Sequence, residues 1–132
     1  MKIIIGITIL TCLVQLSFGQ KICNIKLRTV EKDINTPYRI PCDNFDASFS
    51  KIYKEKIVKS PKILADFDEL LRHVVYSKEN SEMDVRTKII VQYLNSKKKT
   101  ILCLDAFDDI LVNGRLIKSN QKLLELINRI GK

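Results

Sequence analysis

The sequence predicts an all-α protein: a compact bundle of about five short amphipathic helices that follows a cleaved signal peptide. Apolar side chains recur at steps of three and four residues along most of the chain, which is the helical period. Strict alternation of apolar and polar residues, the mark of a half-buried strand, never persists for more than a few residues. A length of 132 residues with 29% charged residues indicates one globular domain.

Residues 1–19 have the three-part pattern of a secretory signal peptide. Lys2 supplies a positive start, an apolar run extends from residue 3 to residue 16, and the small residues Ser17 and Gly19 precede the expected cleavage point. The alternative is a membrane anchor, but the run is shorter than the about 20 apolar residues of a transmembrane helix. We therefore expect a secreted, extracellular protein in which residues 20–132 form a single helical domain.

The N-terminal part of that domain is expected to be irregular. Residues 20–42 contain at most a short helix over residues 24–34, because Pro37 and Pro41 interrupt regular structure. From residue 43 to residue 57 the apolar side chains recur with the helical period, and this stretch predicts the first main helix.

Capping signals predict where the second and third helices begin. Ser60 followed by Pro61 is typical of an N-cap with proline at the first helical position. Ser81 with Asp84 three residues later resembles a capping box. The third helix is expected to end at Lys97–Lys99, where cations suit a helix C-terminus.

The last two helices complete the predicted bundle. The fourth is expected to begin at Thr100 and to end at Asn113 and Gly114, which together favour a left-handed C-cap. Ser119 is the expected N-cap of the fifth helix, and Gly131 closes it.

Cleavage of the signal peptide removes Cys12 and leaves three cysteines. An oxidising environment favours pairing of two of them, and we predict a Cys23–Cys42 disulfide, since both residues flank a polar stretch with turn signals. Cys103 is then a small buried hydrophobe. The alternatives are a Cys42–Cys103 bridge, or a disulfide-linked dimer through the odd cysteine instead of a monomer.

The sequence carries no constellation of catalytic or metal-binding residues. Its one histidine, His73, lies in an apolar run, where a packed side chain is the simpler interpretation. Asp105, Asp108 and Asp109 lie in the first turns of the predicted fourth helix, without the glycine of a calcium loop. We therefore predict that the protein is not an enzyme and has no catalytic residue, metal ion or cofactor.

Lysine and arginine number 23 against 15 acidic residues, which suits an acidic protein partner or an anionic membrane surface. Export argues against nucleic acid as a partner. Residues 51–59, KIYKEKIVK, predict a basic amphipathic helix that could lie on a membrane. The alternative is a solvated lysine-rich face over a packed core.

Three segments resemble motifs of the insect chemosensory protein family. Residues 43–46, DNFD, resemble the Y-D-N-F/I-D start of that family, and residues 85–97 are similar to its later helix K-V-I-x-x-L-x-x-N-K. Residues 104–108, LDAFD, resemble its segment L-x-A-K-Y-D. The resemblance implies a secreted, all-helical protein that encloses an apolar ligand tunnel, although the cysteine pattern of that family does not match.

We predict a secreted small helical carrier that binds an apolar small molecule or lipid-like ligand in an internal cavity. The alternative is a secreted interaction protein of the salivary, venom, effector or cytokine-like type that acts through a basic surface, and a third is a membrane-active toxin. The candidate ligand-binding residues are aromatic and aliphatic side chains of the predicted helices: Phe45, Phe49, Tyr53, Leu64, Phe67, Leu71, Ile90, Tyr93, Leu94 and Phe107.

Overall fold

The computed structural model describes residues 21–132, so the predicted signal peptide at residues 1–19 lies outside the described residues. This part of the chain combines a six-stranded antiparallel sheet with three short α-helices. In chain order the elements are β1 (Ile22–Thr29), a 3₁₀ turn (Cys42–Asn44), α1 (Phe45–Phe49), β2 (Lys54–Val58), α2 (Pro61–Arg72), β3 (Val85–Tyr93), β4 (Lys99–Asp105), β5 (Ile110–Val112), β6 (Arg115–Leu116) and α3 (Gln121–Ile130). The strand order across the sheet is β2-β1-β3-β4-β5-β6.

The predicted all-α bundle is wrong, and the central strands show the reason. β3 has the sequence VRTKIIVQY, in which five of nine residues are β-branched and therefore favour a strand. Side chains pack against both faces of this strand, so apolar residues occur on both and the alternation is lost. A short apolar run of this kind fits helical and strand patterns equally well. The predicted third helix is β3, and the predicted fourth helix is β4 with β5.

Two supposed helix ends are turns between strands. Asn113 and Gly114 have positive φ angles of 48° and 80°, and they join β5 to β6 in a tight hairpin. A two-residue loop with positive φ at both positions suits the twist of paired strands, and Asn-Gly is its preferred sequence. Asn95, with a φ of 54°, lies in the turn between β3 and β4. Lys97 and Lys98 therefore follow a strand instead of ending a helix, and Lys99 begins β4.

The helical signals are correct where a helix lies on the surface of the sheet. α2 begins at Pro61 after Ser60, as predicted. α3 exists as well, but its cap is Asn120, whose side chain accepts a hydrogen bond from the Leu123 N–H at 3.1 Å. The predicted first helix stops at Phe49 and continues as β2, and the supposedly irregular residues 20–42 contain β1.

The helices α2 and α3 cover one face of the sheet, called here the front face. Alternate residues of β1, β3 and β4 point to this face and pack against the apolar stripe of each helix, which removes them from water. The main contributors are Ile25, Leu27, Ile89, Val91, Leu102 and Leu104 of the strands with Leu64, Phe67, Leu123, Leu126 and Ile127 of the helices.

A second cluster lies on the opposite, back face of the sheet. It joins Phe45 and Phe49 of α1 to Met83, Val85, Cys103 and Leu111. The disulfide between Cys42 and Cys103 fixes the 3₁₀ turn onto β4 there, with the two Cα atoms 5.9 Å apart. Such a bond is compatible with an extracellular protein.

The predicted Cys23–Cys42 disulfide is therefore wrong. Cys103 points to the back face, where the segment that carries Cys42 crosses the sheet. Cys23 lies at the exposed start of β1, at a shift of the strand register between Ile22 and Asn24, and it is a free thiol.

Candidate functional site

The two edges of the sheet differ in how their backbone groups are satisfied. At the β6 edge, Tyr76 bridges to Ile117 and the Ser77 N–H donates to the Leu116 carbonyl at 2.8 Å, so a segment of chain covers that edge. At the other edge, β2 pairs with β1 alone. Within residues 21–132 the outer backbone groups of β2 have no hydrogen-bond partner. Unpaired strand edges are templates for another chain.

The open edge is strongly basic. We call β2 with its flanking residues Lys51 and Lys59 the basic edge. Its one carboxylate, Glu55, accepts a hydrogen bond from Arg28 Nε at 3.1 Å and is thereby already paired. No carboxylate of residues 21–132 forms an ion pair with any of the four lysines of the basic edge, which are Lys51, Lys54, Lys56 and Lys59.

The sequence drew attention to this segment but predicted the wrong structure for it. Residues 51–59 do not form an amphipathic helix: β2 begins at Lys54, and Lys54 to Ile57 are exposed while Val58 is buried. An edge strand has water beyond it, so its lysines remain solvated even on the face that the helices cover. Lys54 and Lys56 share the face of Val58, which packs into the front core, and Ile57 lies on the back face with 50% of its surface exposed.

A network of charges on the back face supports the basic edge. Asp46 of α1 accepts hydrogen bonds from Arg28 Nη1 at 2.8 Å and from Lys88 Nζ at 2.7 Å. Arg28 also lies over the ring of Tyr53, with 5.1 Å from its guanidinium carbon to the ring centroid. These contacts order Arg28, which in turn holds Glu55 on β2.

The network sets the ionisation of Asp46. Burial opposes the charged carboxylate, but the hydrogen bonds from Lys88 and Arg28 outweigh burial and hold the pKa of Asp46 below its ordinary value. Burial lowers the pKa of Arg28, but the carboxylates of Asp46 and Glu55 outweigh burial and raise it. Arg28 and Lys88 are thus neutralised within the fold, whereas the lysines of the basic edge have no such partner among residues 21–132.

A hollow of about 360 Å³ adjoins the start of β2. Ile52, which is 52% exposed, contributes an apolar wall, and Lys54 stands at its border with the strand. The remaining lining residues are Thr29, Val30, Glu31 and Ile34.

The predicted ligand-binding residues do not share one cavity in this structure. Phe45, Phe49 and Tyr53 lie together on the back face, with ring centroids of 5.1 Å between the two phenylalanines and 6.1 Å between Phe45 and Tyr53. Ile90 is also on the back face, paired with Lys26 and Ile101.

The other predicted lining residues lie elsewhere. Leu64, Phe67, Leu71 and Tyr93 belong to the front core, on the far side of the sheet from Phe45. Leu94 and Phe107 are 52% and 88% exposed. The sheet therefore separates side chains that a helical bundle would have brought together.

One groove does unite two of them. Leu64 and Leu94 line a largely apolar groove of about 440 Å³ between α2 and the start of β1. The free thiol of Cys23 is at this groove, and the other lining residues are Lys21, Ile22, Pro61, Ala65 and Asp68.

The remaining candidate residues have structural partners. His73 follows α2, exposed, with its ring 3.0 Å from Glu69. Asp105 does not start a helix: its side chain accepts hydrogen bonds from the N–H groups of Phe107 and Asp109 and shapes the turn from β4 to β5. In the described part of the chain, no group of three or more histidine, cysteine or acidic residues could hold a metal ion. Nor is any helix there long and apolar enough to cross a membrane.

Comparisons with protein-family models, with characterised proteins and with solved structures find no match to this chain. The resemblance to the chemosensory family thus stays a prediction.

Proposed function

We propose that this chain is a secreted interaction protein that binds an acidic partner protein through the basic edge. One observation carries the proposal: within residues 21–132, an exposed edge strand has unpaired outer backbone groups and also carries lysines without counter-ions. Opposite charge steers a partner to such a surface and selects against basic competitors. The signal-peptide pattern of residues 1–19 and the Cys42–Cys103 disulfide support secretion.

A protein partner suits this surface better than a lipid membrane. Unpaired backbone groups are costly to bury in hydrocarbon, where nothing replaces their hydrogen bonds to water. Another polypeptide supplies both the missing hydrogen bonds and negative charge. Phe107, the most exposed aromatic residue among residues 21–132, lies in the turn between β4 and β5. That turn is at the opposite side of the sheet order from β2, so Phe107 does not extend the basic edge into an apolar membrane anchor.

Binding to poly-glutamate tests the proposal. Replacing Lys54 and Lys56 by glutamine should weaken binding about threefold to tenfold, the effect of losing two exposed ion pairs. The matched control replaces Lys118, which follows β6, and Lys122 of α3, which removes the same charge outside the basic edge, and should have a smaller effect. Equal weakening by both double variants would mean that net charge alone drives binding, and the proposal would be wrong. Tighter binding to phosphatidylserine vesicles than to poly-glutamate would also contradict it.

The groove beside Cys23 supports a second candidate, an apolar-ligand carrier. Its volume of about 440 Å³ and its lining by Leu64, Ala65 and Leu94 suit a small apolar molecule. An apolar fluorescent probe should bind the native monomer, and Leu94→Lys should abolish the signal without unfolding the protein, since Leu94 is half exposed. Unchanged probe fluorescence in that variant, or no uptake by the unaltered protein, would refute this function.

A further inference from the structure

We infer that the acidic partner binds by strand addition: an extended acidic segment pairs with β2 and becomes a seventh strand at the basic edge. The inference rests on the proposed function and specifies how the partner is recognised. Main-chain hydrogen bonds supply affinity in this mode, and alternate side chains supply specificity.

Among residues 21–132, the backbone leaves the β2 edge of the sheet available for pairing. β2 runs for five residues, all of them registered against β1 from Thr29 opposite Lys54 to Ile25 opposite Val58. The outer N–H and C=O groups of β2 are therefore held in a regular extended strand. The opposite edge is covered, because Lys118 N–H donates to the Val75 carbonyl at 2.7 Å and Ser77 N–H to the Leu116 carbonyl at 2.8 Å.

The side chains of β2 define the sequence that would fit. Residues that lie opposite each other in neighbouring strands share a face. An added strand therefore places alternate residues opposite Lys54 and Lys56 on the front face, where carboxylates pair best. The residues between them face Ile57 and the already paired Glu55 on the back face, where a β-branched side chain suits Ile57.

The hollow beside Lys54 selects for an apolar side chain at the end of the added segment that lies next to the start of β2. A segment that continues past Lys54 would place its next side chains over Ile52 and Val30, in the hollow of about 360 Å³. An apolar side chain at that position would be removed from water by both residues. The preferred segment thus carries alternating acids that end in one apolar residue.

A second copy of this chain fits the edge poorly. Pairing two whole β2 strands about a two-fold axis puts Lys56 opposite Lys56 of the copy. Like charges directly opposite each other destabilise a strand pair. The lysines that repel a copy attract an acidic segment, so prevention of self-association and partner recognition are served by the same side chains.

Backbone-modified peptides test strand addition separately from charge. The probe is an eight-residue peptide in which glutamate alternates with threonine, and two further peptides carry N-methyl groups either on every glutamate or on every threonine. Successive N–H groups of a strand point to opposite edges, so one methylated peptide blocks pairing with β2 and the other leaves that edge free. Binding of one methylated peptide should fall about tenfold, as expected for two or more lost hydrogen bonds, and the other should bind as the parent does.

Hydrogen exchange provides the second readout. The parent peptide should slow exchange of the outward N–H groups of β2, and the peptide that fails to pair should not. Equal binding of both methylated peptides with no protection of β2 would overturn strand addition while leaving the proposed function intact. Absence of binding by the parent peptide and by poly-glutamate together would refute both.

Discussion

Arg28 Nε lies 3.1 Å from Glu55 Oε1 across the ladder between β1 and β2, and this contact decides the electrostatics of the open edge. Glu55 is the only acidic residue of β2, and it is held on the back face by an arginine that also pairs with Asp46. The carboxylate is therefore turned toward the sheet, and the lysines beside it face solvent with no counter-ion in the described part of the chain. The basic character of this surface thus depends on the pairing of Glu55 with Arg28 as well as on the number of lysines.

Replacing Glu55 by glutamine should strengthen binding to poly-glutamate by about twofold, because it removes one charge that repels the polymer. A change of about twofold corresponds to the interaction energy typical of one exposed charge pair. The gain should shrink as salt rises, since exposed charges are screened within about 8 Å at physiological ionic strength. Glu125→Gln on α3 removes the same charge outside the basic edge and is the control. Affinity measured at low and at physiological salt checks the prediction, which fails if the control gains as much.

Replacing Asp46 by asparagine should destabilise the fold by about 1 kcal/mol, because the mostly buried cations Arg28 and Lys88 lose their shared acceptor, which is itself partly exposed to water. The pKa of Asp46 is lower in the folded protein than its ordinary value of 3.8, so its stabilisation is complete above that value and is lost as the pH falls through the folded pKa. The difference in unfolding free energy between the two proteins should therefore be constant near neutral pH and shrink below about pH 4.

Urea unfolding at a series of pH values measures that difference. A difference that grew on acidification, or that stayed constant to pH 2, would show that Asp46 is not stabilised as a carboxylate by Lys88 and Arg28.

Replacing both Cys42 and Cys103 by serine should lower stability by about 4 kcal/mol, the chain-entropy value for a closed loop of this length. The two cysteines are separated by 61 residues, so the unfolded chain is strongly restricted by the bond. Cys23→Ser, which removes the exposed free thiol, should change stability by less than about 0.5 kcal/mol. Denaturant unfolding with and without reductant checks both; a large loss on replacing Cys23 would contradict the pairing.

Replacing Phe67 by alanine should cost about 3–5 kcal/mol, because its side chain is fully buried between α2 and the sheet. Replacing Phe107 should cost less than about 0.5 kcal/mol, since that side chain is 88% exposed. A helical bundle would place both residues at the lining of one cavity, so the two substitutions distinguish the sheet structure from a bundle. Similar losses of stability in thermal unfolding would contradict the placement of these two residues.

Local signals in the sequence predicted the parts of the fold that local interactions determine. Ser60 and Pro61 favour a helix start whatever the helix later packs against, and α2 does begin there. The apolar stripe of α2 then covers one face of the sheet. Asn113 and Gly114 also carry a local signal, but positive φ serves a helix end and a hairpin equally well. Only the partner strand distinguishes the two outcomes.

The sheet itself depends on contacts between residues that are far apart in the sequence, and no local pattern predicts such contacts. The disulfide joins Cys42 to Cys103 across 61 residues. The strand β1 lies between β2 and β3, although β3 begins at Val85, 56 positions after β1 ends at Thr29. The candidate site shares this property. The sequence shows that residues 51–59 are basic. It does not show that they lie at an open edge, because that depends on the position of β2 at the end of the strand order.

If the acidic partner occupies the outer side of β2, titration with poly-glutamate should shift the backbone amide resonances of that strand. The largest chemical-shift changes are expected at Lys54–Val58, with smaller changes in the neighbouring strand at Lys26 and Arg28. Changes centred instead on Lys122 and Arg129 at the cleft between α2 and α3, or on residues 97–99, would show that the partner binds elsewhere.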